Sequence, residues 1–178
     1  MNIDDCKLIK FKEFADPHGN LVAIEGVKDV PFNIKRLFYI YDTLSDVIRG
    51  KHANRKSEFI LICLSGSCKV DLFDGINTKT IKLECNTEGL YIPKMVWKDM
   101  YAFSRDCVLL CLSNEYYDAD EYIRNKEEYI KEEYSSFLSN KLKLTPAQPI
   151  LRMMIIVIAM GKSPVEKNNV IILNGLIK

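Results

Sequence analysis

The densest run of polar side chains in this 178-residue sequence reads Arg49-Gly50-Lys51-His52-Ala53-Asn54-Arg55-Lys56-Ser57-Glu58. Three of its side chains could do chemistry together. An imidazole titrates near neutrality and can carry a proton, a guanidinium can hold a developing oxyanion, and a neutral amide can only hydrogen-bond. In a strand, residues two apart share a face, so His52 and Asn54 project the same way, with Arg49 near the strand's start. If that face looks into a small β-barrel, the mouth holds an imidazole, an amide and a guanidinium, and a small-barrel interior is the usual place for a ligand cavity with a few convergent polar groups. The competing reading is a surface or turn histidine beside a solvated basic cluster, and spacing alone leaves both open.

The surrounding sequence supplies strands to position such a face. From residue 6 to about 114, short β-branched, aromatic and aliphatic segments alternate with Gly, Pro, Asn and Asp, which predicts an all-β body. The expected strands are Cys6–Phe11, Leu21–Glu25, Ile34–Tyr41, Val47–Ala53, Glu58–Ser65, Cys68–Asp74, Thr78–Leu83, Gly89–Ile92, Trp97–Phe103 and Val108–Leu112. Turns fall at Asp16-Pro17-His18-Gly19, Ser65-Gly66-Ser67 and Asp74-Gly75. After Asp118, an expected N-cap with Glu121 as its capping-box partner, apolar residues at helical spacing predict an amphipathic helix from about Ala119 to Leu138 along the outside of the barrel. The charges from Glu121 to Lys131 read as its solvated face.

Composition divides the chain. Residues 141–178 carry Lys141, Lys143, Arg152, Lys162, Lys167 and Lys178 against the single acid Glu166, and no aromatic residue. The remainder is acidic and holds every Phe, Tyr and Trp. The expectation is a domain at 1–140 and a basic, aliphatic tail at 141–178, joined near Thr145-Pro146-Ala147-Gln148-Pro149. A formal net charge of +1 and the lack of a basic run give no footprint for nucleic acid. The longest apolar run, Met153–Met160, is too short to span a membrane, and the N-terminus has no signal-peptide pattern. Six cysteines with no CxxC pair read as free thiols in a reducing cytosol.

Several motifs carry a resemblance. His52-Ala53-Asn54, Glu58 and Gly66 follow the first motif of cupin barrels. In order along about three quarters of the chain, the segments Asp16–Gly19, Pro31-Phe32, Lys35–Tyr41, Arg49–Ala53, Leu64–Ser67, Asp74-Gly75, Gly89–Trp97, and Tyr117 with Asp120–Arg124 resemble the nucleotide-sugar 3,4-ketoisomerases. The resemblance implies an all-β cupin, a jelly-roll barrel with a C-terminal α-helix, to which the tail would be an atypical addition. It implies a cytoplasmic homodimer that moves the ketone of dTDP-4-keto-6-deoxyglucose from C4 to C3 through an enediolate. The 3-keto product, galacto or gluco, would be aminated for surface glycans such as lipopolysaccharide. Neither metal nor redox cofactor is implied.

Within that implication His52 is the base, with Arg49 or the hydroxyl of Tyr39 or Tyr41 on the oxyanion. Gly50 lets the strand approach the sugar, and Asn54 and Glu58 complete the substrate contacts. Arg36, Arg49 and Lys94 are candidates for the diphosphate and Trp97 for the thymine, although a sole tryptophan serves as readily in core packing. Arg36 and Tyr39 lie on opposite faces of a regular strand, so sharing a site requires a bulge or a second subunit. Asn54 stands where the family usually has a second histidine and cannot shuttle a proton. A second acid/base group would have to be His18, Tyr39, Tyr41 or an ordered water. The same departure, with no histidine in Gly89–Met100, leaves His52 and Glu58 as a poor transition-metal pair. The alternatives are a dTDP-sugar epimerase of the related barrel family and a non-catalytic sugar-nucleotide-binding cupin.

Overall fold

The computed structural model describes the backbone of residues 3–142 and side chains through residue 136. Its strands are β1 (Lys7–Lys10), β2 (Glu13–Asp16), β3 (Gly19–Val22), β4 (Arg36–Ile40), β5 (Arg49–Asn54), β6 (Phe59–Ser65), β7 (Cys68–Phe73), β8 (Thr78–Leu83), β9 (Glu88–Ile92), β10 (Trp97–Tyr101), β11 (Val108–Ser113) and β12 (Tyr122–Ile123), followed by helix α1 (Lys126–Leu142). One five-stranded sheet has the order β1-β9-β6-β11-β4, the other β12-β5-β10-β7-β8, and β2-β3 form a separate hairpin. All the named pairings are antiparallel. This is the cupin barrel.

The apolar pattern explains the layering. Phe59, Leu61 and Cys63 of β6 join Val70, Leu72, Leu90 and Leu109 in one buried cluster, while Ile60 and Ile62 join Phe11, Val30, Phe32 and Leu112 in another. β6 is a continuous apolar run because both of its faces are covered. β4 alternates instead: Leu37 and Tyr39 are exposed, whereas Phe38 and Ile40 pack against the first cluster. All six cysteines are free, and five are buried in the core. They serve as small apolar side chains, as expected.

Each of the ten expected strand segments overlaps an observed strand, although β3 (Gly19–Val22) shares only Leu21 and Val22 with the expected Leu21–Glu25, and there are two additions. The whole of β2 is exposed, so no apolar alternation marked it. β12 replaces the expected start of the helix. Asp118 Oδ1 accepts a 3.0 Å bond from Asp120 N and opens only one 3-10 turn, Ala119–Glu121. Tyr122 and Ile123 then pair with Asn54 and Ala53 of β5. The helical cap is Asn125, whose Oδ1 accepts from Glu127 N and Glu128 N at 2.9 and 3.0 Å. Glu121 does not close a capping box because its carboxylate is buried among partners from residues 54–57, described below. Neither does it belong to a solvated face.

Met1–Tyr129 form one compact unit, and a second begins at Ile130. Of the tail expected at 141–178, the first two residues close α1 and the rest lies outside the described residues. Among the described residues no helix is long and apolar enough to cross a membrane.

Candidate active site

A cavity of about 160 Å³ opens between the two sheets. Phe38, Ile40, Phe59, Leu61 and Cys111 line it from one sheet, and Arg49, Gly50, His52, Lys98, Met100 and Tyr122 from the other. Of the ten site residues expected from sequence, this cavity brings together Arg49, Gly50 and His52.

Their placement depends on a bulge. Lys98 and Asp99 of β10 are consecutive but oppose His52 and Gly50 of β5, leaving Lys51 as the extra residue. Gly50 and Lys51 both have positive φ, +88° and +54°. A Cβ on Gly50 would stand 2.5 Å from the Lys98 carbonyl oxygen. The glycine is therefore required where β10 passes, a demand separate from the close approach to sugar expected of it. The register sets His52 directly opposite Lys98.

The His52 ring lies 4.8 Å from the Tyr122 ring, centroid to centroid, and its Nδ1 is 2.8 Å from Gly50 O. A carbonyl oxygen can only accept, so Nδ1 carries the hydrogen and, in the neutral ring, Nε2 keeps a free lone pair. Burial, then the Lys98 charge, push the pKa of His52 down to about 4; the Gly50 bond offsets part of this, and Arg124 adds to the depression. The near-neutral value expected from the residue type does not survive the site. His52 is neutral at physiological pH. At the mouth, Arg49 Nε donates to Thr43 Oγ1 at 3.2 Å.

Lys98 is the residue that sequence reasoning missed. It is only 4% exposed. Its Nζ donates to Asn54 Oδ1 at 2.6 Å and sits 4.7 Å from the Phe59 ring centroid. Asn54 in turn donates from Nδ2 to Glu121 Oε1 at 3.2 Å. Glu121 also accepts from Lys56 N at 3.1 Å, Ser57 N at 2.8 Å and the Ser57 hydroxyl. Burial lowers the Lys98 pKa to about 7, against the partial compensation of Glu121. The available signal was period two: Lys98 shares a strand face with Met100, one residue from the buried Trp97.

The other expected site residues stand elsewhere. Asn54 is 1% exposed, and both ends of its amide are occupied by Glu121 and Lys98, so it contacts no open cavity surface. Tyr39, on the outer face of β4, and Tyr41, just beyond its end, are exposed, with their rings tilted against each other at a centroid distance of 5.6 Å. Glu58 accepts a 2.8 Å bond from the Tyr91 hydroxyl, away from the cavity wall. Lys94 is exposed in the β9–β10 turn, and His18 is exposed in the β2–β3 turn. Trp97 is buried, with its indole NH on Asp99 at 3.0 Å and its ring 5.6 Å from Tyr129, so core packing is its role in this unit. Arg36 stands over Phe38, Phe59 and Tyr117, and its buried Nε and Nη2 have no hydrogen-bond partner. β4 runs in unbroken register with β11, so no bulge brings Tyr39 round to the Arg36 side. Among the described residues no three His, Cys, Asp or Glu side chains group as a metal site.

Comparison with known proteins places this chain in a family. The family model described as "FdtA: WxcM-like, C-terminal" matches residues 4–134. The chain belongs to this family. A TDP-4-oxo-6-deoxy-alpha-D-glucose-3,4-oxoisomerase from Aneurinibacillus thermoaerophilus is 46% identical over 125 residues, covering 70% of this chain and 90% of that protein. A similar solved structure is a histidine-to-asparagine mutant of the 3,4-ketoisomerase QdtA from Thermoanaerobacterium thermosaccharolyticum in complex with TDP-4-keto-6-deoxyglucose. It superposes with a TM-score of 0.74 at 45% identity and covers 78% of this chain and 99% of that one. WlaRA, a TDP-fucose-3,4-ketoisomerase from Campylobacter jejuni, gives a TM-score of 0.70 at 46% identity, covering 72% and 96%. This FdtA-like chain is an isomerase.

Proposed function

We propose that this isomerase converts TDP-4-keto-6-deoxyglucose to the TDP-3-keto-6-deoxyhexose, supplying a ketone that an aminating enzyme can take to a 3-amino-3,6-dideoxyhexose. The observation that carries the reading is the His52 ring, lining the cavity with its hydrogen committed to Gly50 O and Nε2 left as a base. In this reading, Nε2 removes the proton on C3, α to the C4 ketone. The enediolate that forms is held by the Arg49 guanidinium at the mouth, and the proton returns to C4. Arg36 suits the diphosphate, because its buried and unpartnered N–H groups would gain an anion as their acceptor. The working form is a homodimer, which gives the outward-facing Tyr39 and Tyr41 a partner surface.

The test is NMR of the sugar ring in D₂O after mixing purified protein with TDP-4-keto-6-deoxyglucose. A 3-keto signal is the expected result, with deuterium at C4 to the extent that the imidazole exchanges its proton with solvent before returning it. Exchange at C3 or C5 without ketone migration would make the protein an epimerase, and binding without exchange a non-catalytic cupin. His52→Ala is expected to lower turnover by at least ~10²-fold, the scale of a lost general base. Wild-type turnover in that variant would overturn the assignment of the base.

A further inference from the structure

Moving a ketone from C4 to C3 requires two proton transfers at carbon and two at oxygen. O4 must gain a proton and O3 must lose one. One imidazole accounts for the carbon pair, and Asn54 has no proton to exchange. Something else in the cavity must serve the oxygens.

We propose that Lys98 is the second proton carrier of this site, passing a proton between O4 and O3 of the substrate while His52 moves one between C3 and C4. The proposal rests on the isomerase reading above. Its ground is the placement of Lys98, directly across the β5–β10 ladder from His52 and on the wall of the same cavity. The ammonium is buried, yet no carboxylate touches it among the described residues. Its bonded partner is a neutral amide oxygen, and Glu121 is hydrogen-bonded to Asn54 rather than to Nζ, acting on the ammonium through its charge alone. A directly paired carboxylate would hold the proton on nitrogen. An amide oxygen accepts an N–H from the ammonium and from the neutral amine alike, so Asn54 keeps Nζ in place whichever state it is in.

The surroundings agree. The charged or titratable groups acting on Lys98 are His52 from β5, Glu121 from the 3-10 turn, Arg36 from β4, Cys111 from β11 and Cys6. Desolvation outweighs the attraction of Glu121, which brings the Lys98 pKa down to about 7 and eases release of its proton.

The cycle balances without an outside reactant. His52 Nε2 takes the C3 proton as the C3–C4 double bond forms and the C4 carbonyl electrons move to O4. Lys98 ammonium gives O4 its proton and becomes the amine. The amine takes the proton of O3, the C3=O bond forms, and His52 returns its proton to C4. The two groups are coupled in the useful direction. The Lys98 charge is one of the forces that depress His52, so the imidazole becomes a stronger base as Lys98 gives its proton to O4.

The experiment compares wild type, Lys98→Met, Lys98→Arg and Lys98→Ala with TDP-4-keto-6-deoxyglucose, measuring turnover by NMR and binding by calorimetry. Lys98→Met and Lys98→Arg are expected to lose at least ~10²-fold in kcat, the scale of a lost acid/base group, while binding substrate within a few-fold of wild type. Arginine keeps the charge but cannot release a proton near neutrality. Added methylamine is expected to restore turnover to Lys98→Ala in proportion to its concentration. More than a tenth of wild-type kcat in Lys98→Arg would overturn the proposal, since charge alone would then suffice. Absence of amine rescue in a Lys98→Ala protein that still binds substrate would also overturn it; should that variant not fold, the Met and Arg variants decide. An active wild type with either result sinks only the role of Lys98. An inactive wild type that binds the substrate sinks the isomerase reading and this inference with it.

Discussion

Two bases share one cavity, and burial makes each weaker than in water because it penalises the charged form. For His52 this keeps the reactive lone pair free at physiological pH; for Lys98 it makes the proton labile. The signs predict the pH profile. His52 must be neutral to accept a proton, so kcat/KM rises as pH climbs through the value of about 4 to which the site holds it. Lys98 must be protonated to donate to O4, so activity falls as pH rises through about 7. A bell between these limits is expected, with the limits belonging to the interacting pair rather than to either residue alone. A profile flat from pH 5 to 9 would contradict it. Residue type and spacing named His52 and Arg49 as candidates but left cavity and surface both open, and it is the fold that sets the two on one cavity wall. The Lys98–Asn54 pair was not legible, because a lysine in a strand reads as surface until the opposite strand is known. Asn54 was noticed for lacking a proton, whereas its part in the structure is to hold one that belongs to Lys98.

At the scale of elements, the site depends on the β5–β10 bulge. Gly50→Ala would set a methyl 2.5 Å from the Lys98 carbonyl oxygen, at a backbone φ of +88°. Since the obstacle is backbone, relief requires moving β10 and Lys98 with it. Strain of this kind costs about 1–3 kcal/mol. The expected outcome is a lower melting temperature together with at least a several-fold loss of turnover; an unchanged protein on both measures would show that the bulge does not position the lysine. The strands of this region were readable from period-two alternation, but its register was not, since the bulge depends on a pairing partner more than forty residues away. The helix start was misplaced for a related reason. Asp118 and Glu121 match a local capping pattern, yet Glu121 serves Asn54, Lys56 and Ser57 across the fold, and Asn125 provides the cap.

For the whole molecule, the unresolved demand is the outer face of β4 and the loop that follows it. Leu37, Tyr39, Tyr41, Leu44 and Ile48 are 47–70% exposed within one short stretch of chain, and β4 is an edge strand with unpaired backbone groups along one side. Apolar exposure at a sheet edge is a liability in a monomer and the usual composition of an interface. This is the surface on which the proposed homodimer is expected to form. It also answers the strand geometry: with no bulge in β4, Tyr39 cannot turn into its own cavity, so any part it takes in the reaction must be played in a partner's. Light scattering is expected to give twice the chain mass for the wild type at micromolar concentration. Replacing both rings, Tyr39→Glu with Tyr41→Glu, sets carboxylates on the face and is expected to give the monomer mass with the barrel's circular dichroism retained. If Tyr39 completes the neighbouring site, turnover falls with dissociation and single Tyr39→Phe loses activity while remaining dimeric. A wild type that sediments as a monomer would remove the interface, and Tyr39 with it, from the account of the active site.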